Sequence, residues 1–150
     1  MLFDEAYRRF WMDLGESRTR ALSTSLHDLV TSRMMSIVVL EGRLFFQTDR
    51  TFRKYEQIKG NAHVALCADN FQIEGECKEV GRPVENPDFC RAYEKYFHSS
   101  FQRYSGLENE RLFAVTPTFI ERWRYVDGIP YMEMFEVEKR NYIWKKYNGE

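Results

Sequence analysis

The stretch from Ser32 to Tyr55 constrains the fold more than any other part of the chain. Ile37 to Leu40 is an apolar, β-branched run, Glu41-Gly42 is a turn pair, and Arg43 to Thr48 resumes an extended apolar run. Two antiparallel strands joined by a tight turn are therefore expected. A helix should follow, capped by Asp49 or Thr51, because Phe52, Tyr55 and Ile58 recur at helical spacing and leave Arg53, Lys54 and Gln57 on the other faces. Gly60 should stop it. A helix N-terminus offers unpaired N–H groups and the positive end of the helix dipole, so an anion is favoured there before any side chain acts. Thr48 and Thr51 add hydroxyl donors, Arg33 enters from the preceding strand and Lys54 from the helix. Charge-assisted bonds from such cations to phosphate oxygens are among the stronger polar contacts. The same residues also read as solvated surface at strand ends, and spacing alone leaves both readings open.

The remaining chain reads mainly as strands. Apolar positions at Ala6, Tyr7, Phe10, Trp11 and Leu14 give a first helix over Asp4 to Leu14, ended by Gly15. Thr19 to Leu26 reads as a first strand, with Leu22 to Ser25 offering backbone to a neighbour. Ala62 to Ala68 is a buried strand, Asp69-Asn70 a turn, and Phe71 to Val80 an alternating strand with Phe71, Ile73, Gly75 and Cys77 on one face. Gly75 leaves room there for another backbone or a ligand ring. Pro87-Asp88 opens a helix whose Phe89, Tyr93 and Phe97 share a face, and Ser99 to Glu110 reads as a long connection. Pro117 within Leu112 to Val126 argues for an edge strand or a bulge, and Asp127-Gly128 is a hairpin signal.

At 150 residues the chain is expected to form one domain, residues 1–150. A net charge of −1 gives the chain no overall pull on nucleic acid, and no apolar run reaches membrane-spanning length. A cytoplasmic protein, without nucleic-acid or membrane partners, is the expectation. Aromatic residues make up 16%, enough that some rings should face a partner subunit or a planar ligand, although an aromatic-rich core explains the same figure. Cys67, Cys77 and Cys90 match no zinc pattern and read as reduced thiols. His27, His63 and His98 are scattered and lack a second ligand at i+4, so no metal is expected. No glycine-rich phosphate loop, dinucleotide fingerprint or nucleophile elbow occurs.

The order Arg33-Met34, then Phe46-Gln47-Thr48, then Arg53-Lys54 resembles the FMN-binding split barrels of the pyridoxamine 5'-phosphate oxidase family. The similarity continues through Ile58, Asn61, Val64 and Leu66, the Ile73-x-Gly75 step, and Ile120-Glu121-x-Trp123, covering roughly Arg20 to Tyr131. It implies a mainly β fold with peripheral helices: a six-stranded antiparallel split β-barrel that dimerises and holds FMN in grooves between its subunits. It further implies that Arg33, Thr48, Arg53 and Lys54 hold the phosphate and that Met34, Met35 and Ser36 present strand backbone to the ring edge. Gln47 belongs to the same cofactor motif, Asn70 stands where a glutamine would contact the flavin, and Trp123 of the other subunit packs near it. Phe52 occupies the place of a family serine, whose hydroxyl Thr51 would replace.

The family's substrate-gripping segment after the tryptophan, rich in arginine and histidine, reads here Arg124-Tyr125-Val126-Asp127-Gly128-Ile129-Pro130-Tyr131. The resemblance is therefore to the short members grouped with general stress proteins and nitroimidazole-resistance reductases. It implies an FMN-dependent oxidoreductase, flavin reductase- or nitroreductase-like, that uses a small-molecule donor and acceptor and does not oxidise pyridoxamine phosphate. Two alternatives stand beside it: a non-catalytic flavin, deazaflavin or heme binder of the same fold, and a nucleic-acid-binding β-barrel. The last would use the cations and rings from Lys139 to Tyr147, which otherwise form a final strand with Tyr142 and Trp144 against the barrel.

Overall fold

The computed structural model describes residues 2–149. Helix α1 (Leu2–Leu14) leads into strands β1 (Arg18–Leu26), β2 (Leu29–Leu40) and β3 (Arg43–Asp49), then helix α2 (Arg53–Gly60). Strands β4 (His63–Ala68) and β5 (Phe71–Glu79) follow, then helices α3 (Pro87–Tyr96) and α4 (His98–Tyr104). The chain finishes with β6 (Glu110–Val126), β7 (Ile129–Glu136) and β8 (Asn141–Lys146). All pairings are antiparallel, in the order β3-β2-β1-β4-β5-β6-β7-β8, and β3 also pairs with β6. That second pairing closes a six-stranded barrel, β1 to β6, as the resemblance implies, and leaves β7 and β8 as an extension carried by the far half of β6.

Three hairpins are built on two-residue turns whose central residues are both left-handed, the geometry that matches strand twist: His27-Asp28, Glu41-Gly42 and Asp127-Gly128. The last two are legible in sequence. The first uses two residues that carry side chains, and it lengthens β2 back to Leu29. The backbone of β1 finds neighbours on both sides, β2 along its length and β4 from Ala21 to Thr24.

Alternation divides the interior into two layers. Leu22, Ile37, Leu44, Phe46, Leu66, Ile73, Phe113 and Ile120 fill the barrel, whose core runs on into Phe3, Phe10 and Leu14 of α1. Val38, Phe45, Leu112 and Ala114 point outward under Phe89 and Tyr93 of α3. Phe71, Ile73, Gly75 and Cys77 share the inner face of β5 as expected. The space above Gly75 belongs to backbone: a Cβ there would lie 2.7 Å from the Thr116 carbonyl oxygen and 2.7 Å from Val115 Cγ1.

Of four local expectations, two are corrected and two are met. Phe52 is the N-cap of α2 and gives no side-chain cap, whereas Asp49 Oδ1 accepts from Thr51 N at 2.8 Å and Thr51 Oγ1 at 2.7 Å, a turn before the helix. Gly60 ends α2 as expected, without a left-handed backbone, and its missing side chain makes room for Leu26, whose Cδ1 would lie 2.7 Å from a Cβ. The segment Ser99 to Glu110 is helical to Tyr104, because Phe97 and Phe101 pack one turn apart beneath α3. Pro117 meets the bulge alternative: it lies in an interior strand opposite Gly75, where the β5–β6 register shifts between Glu74 and Gly75. On the other side of β6, pairing with β3 ends at Val115 and pairing with β7 begins at Phe119, so the proline sits where no ladder bond is required of it.

Candidate functional site

The barrel opens where β2 and β3 part. Their pairing runs only from Val38–Phe45 to Leu40–Arg43. Backbone N–H and C=O groups point to opposite edges at successive residues, and Val39 N–H is directed toward the β1 side, where it donates to Ser17 Oγ at 3.0 Å. The groups of Leu40, Val38, Ser36 and Met34 therefore point toward β3. Because β3 accompanies only the first two, Met34 and Ser36 face an edge that no strand occupies among the described residues.

Cations gather beside this edge. Arg33 points into the mouth of the barrel and donates from Nη1 to Thr24 Oγ1 at 2.9 Å and to the Leu22 carbonyl at 3.3 Å. Its Nη2 donates to Thr31 Oγ1 at 2.6 Å and to Gln57 Oε1 at 3.0 Å. All four acceptors are neutral. Lys54 Nζ donates to the buried Thr48 hydroxyl at 3.4 Å and lies 5.0 Å from the centre of the Phe52 ring. Burial first, then the Arg33 charge, lowers the proton affinity of Lys54, and burial followed by the Arg53 charge lowers that of Arg33. None of Arg33, Arg53 and Lys54 forms an ion pair among the described residues. The N–H groups of Arg53 and Lys54 precede the first bond of α2, donated by Tyr55 to the Phe52 carbonyl. A strand arginine, a lysine on a buried hydroxyl and a helix N-terminus thus supply donors and positive charge with no ion pair among the described residues, Glu110 being the carboxyl group that acts on Lys54.

Other expected residues lie elsewhere. Thr51 is exposed and its hydroxyl serves Asp49. Gln47 is buried on the outer side of β3, where its Oε1 accepts from Ser105 Oγ at 2.6 Å. Met35 packs against the barrel core, Met34 is 62% exposed, and the Ser36 hydroxyl bonds with the Tyr93 side chain. Asn70 and Trp123 are together, with Asn70 Nδ2 donating to the Trp123 carbonyl at 2.5 Å beside a cavity of about 220 Å³. They stand on the β5–β6 side of the barrel, apart from the cations. Trp123 meets Tyr125 and Tyr147 edge to face, and on the opposite face of the extension Trp144 stacks on Tyr131 at 4.4 Å.

Glu110 is the member of this region that sequence reasoning missed. It is 6% exposed, opposite Asp49 in the β3–β6 register. Burial and the Asp49 charge push its carboxyl up to about 7, with Lys54 acting in the opposite sense. The charges that act on it come from β3 and α2, more than 50 positions earlier, so no local signal marks it.

No group of metal ligands occurs among the described residues, and burial pushes the Cys77 thiol up to about 12, which keeps it protonated. No helix among them is long and apolar enough to cross a membrane. A cavity of about 720 Å³ lies between α3 and the β2–β3 hairpin, away from the cation cluster.

No family model matches this sequence, and no curated protein matches it either. Solved structures match the fold. A pyridoxamine 5'-phosphate oxidase-related, FMN-binding protein from Nostoc punctiforme PCC 73102 is similar at a TM-score of 0.61 and 12% identity, over 96% of this chain and 94% of that one. General Stress Protein 26 from Bacillus anthracis str. Sterne is similar at 0.61 and 20% identity, over 77% and 91%. HutZ, the heme storage protein from Vibrio cholerae, is similar at 0.57 and 15% identity, over 75% and 86%. At these identities the likeness is one of fold: this chain has the barrel of the pyridoxamine 5'-phosphate oxidase-related proteins.

Proposed function

We propose that this protein binds FMN as a homodimer and passes electrons between a small-molecule donor and a small acceptor. The observation that carries the reading is the gathering of Arg33, Arg53 and Lys54, none of them ion-paired among the described residues, beside the open edge of β2. A phosphate supplies the missing negative charge, and a planar ring with donors and acceptors along its rim satisfies the strand edge at Met34 and Ser36. The solved structure from Nostoc punctiforme, described as FMN-binding, supports the choice of flavin.

A second copy completes the site. Its Asn70 and Trp123, remote from the cations of their own chain, supply the opposite wall in this reading, which turns a surface into a groove. Bound flavin would contribute the redox chemistry, and the chain contributes binding, orientation and charge. A pure storage role, as for the heme storage protein of the same fold, is separated from turnover by donor-driven reduction.

Protein purified with added FMN should be yellow, elute as a dimer and release FMN on denaturation. Lys54→Ala should weaken FMN by roughly 1.5 to 3 kcal/mol, about one to two decades in dissociation constant. Unchanged affinity in that variant refutes the phosphate assignment. Bleaching of the bound flavin by a reduced nicotinamide, with reoxidation by a quinone or nitro compound, is the result expected of an oxidoreductase.

A further inference from the structure

The extension of the sheet has two faces, and only one of them is filled by the chain itself. On the inner face Phe135 packs between Phe3 of α1 and Tyr142, and Trp144 is stacked on Tyr131 with the Arg124 guanidinium 5.5 Å from its ring centre. These rings are already supplied with partners. On the outer face, strand register sets Trp123, Met132 and Lys145 in one row across β6, β7 and β8, with Glu121 and Met134 in the next. A cavity of about 330 Å³ opens there, lined by these strands and the residues just after β8, with no helix over it. Trp123 lines this cavity and also the smaller one beside Asn70, so the two adjoin.

The lining has the chemistry of a small-molecule site, an apolar body with a few polar groups at its ends. The rings of Trp123 and Tyr147 meet at 61° with centres 5.3 Å apart, which makes a corner open to a third ring. Met132 and Met134 give a floor whose thioethers adapt to a flat surface. Lys145 stands at one end and Glu121 at the other, and neither forms an ion pair among the described residues. Two strand spacings and one row separate their backbones, about 12 Å in all. With both side chains leaning inward, the remaining span suits a body of two fused rings.

We infer that this outer cavity binds a planar aromatic carboxylate, with the acid group at Lys145, the rings on the methionine floor against Trp123, and a hydroxyl or amino donor at Glu121. The charges at the two ends fix the direction of the ligand: a carboxylate is attracted by Lys145 and Lys146, which line the β8 side, and repelled by Glu121. All of these residues belong to one chain, so the site needs neither FMN nor a second copy.

The test is calorimetric titration of the whole protein with three probes: a hydroxynaphthoate bearing its two groups at opposite ends, plain naphthoate, and the uncharged naphthamide. Lys145→Gln, at an exposed position, should weaken hydroxynaphthoate about tenfold and leave naphthamide within about twofold. Native protein should prefer hydroxynaphthoate to naphthoate about fivefold, and Glu121→Ala should abolish that preference. Saturating FMN should change these affinities by less than about twofold, as for separate sites. Equal hydroxynaphthoate affinity in native protein and Lys145→Gln overturns the inference, as does equal binding of charged and uncharged probes, which is adhesion of rings alone. Displacement of the acid by FMN overturns it too, because the acid then sits in the flavin groove. Uptake of none of the probes, the result if a second copy covers this face, also overturns it. Failure of FMN to bind refutes the flavin reading and leaves this inference standing.

Discussion

Arg122 and Arg33 are both strand arginines drawn away from solvent, and the molecule treats them in opposite ways. Arg122 on β6 is 4% exposed and lies between two carboxylates: its Nε pairs with the fully buried Glu133 of β7, and its Nη2 reaches Asp13 of α1 at 2.9 Å. Arg124 and the Tyr142 hydroxyl complete the set around Glu133. Arg33 has only neutral oxygens, with further cations nearby. A balanced cluster ties elements together, here α1 to the extension of the sheet. An unbalanced one holds charge in reserve for something outside the chain. Under the proposed function, the difference separates residues that serve folding from residues that serve binding.

Three perturbations sharpen that contrast. The largest effect should come from Glu133→Gln, which leaves Arg122 buried without its closest counter-charge. Unfolding in urea should show a loss of about 3 to 5 kcal/mol. A loss below about 1 kcal/mol, within the range typical of exposed pairs, would mean that the network is no more than surface decoration.

The second concerns Glu110, whose carboxyl is raised from its ordinary value to about 7 in the folded chain. Between these values the folded state holds a proton that the unfolded state has released. This contribution to stability is therefore full at acid pH and fades as pH rises through about 7. Without ligand the protein should lose on the order of 2 kcal/mol from this group between about pH 4.5 and pH 8. In Glu110→Gln that part of the slope should vanish from a pH series of denaturation curves, and an unchanged slope would contradict the placement of Glu110 among like charges.

Salt gives the smallest effect. Raising it from about 0.05 to about 0.5 M screens repulsion among Arg33, Arg53 and Lys54 and should stabilise the ligand-free protein by a few tenths of a kcal/mol. The same change should weaken FMN severalfold. Movement of both quantities in one direction would remove the claim that these cations are held in reserve.

Features written locally in the chain were legible before the structure. The two hairpins with glycine in the turn, the α3 stripe of Phe89 and Tyr93, and the inner face of β5 each rest on residues within about ten positions. The His27-Asp28 hairpin was not legible, because left-handed backbone at two residues with side chains is enforced by the long β1–β2 ladder rather than announced by the turn. Closure of the barrel through β3 and β6 joins residues about 60 or more apart, and it was expected from resemblance, not from spacing. At the site, Lys54 meets Thr48 and lies close enough to Arg33 to feel its charge. The Arg33 contacts with Thr24, Thr31 and Gln57, and the approach of Glu110, arise from strand register that local pattern does not encode.

The unaccompanied stretch of β2 has a practical side. Two residues of strand backbone with free hydrogen-bonding capacity, flanked by the exposed Met34, can template pairing with another polypeptide as readily as they can accept a small molecule. Ligand-depleted preparations should therefore clump on storage, and yield during expression should depend on how much vitamin the host supplies. A ligand that fills that gap, as proposed, would also shield this edge from other chains.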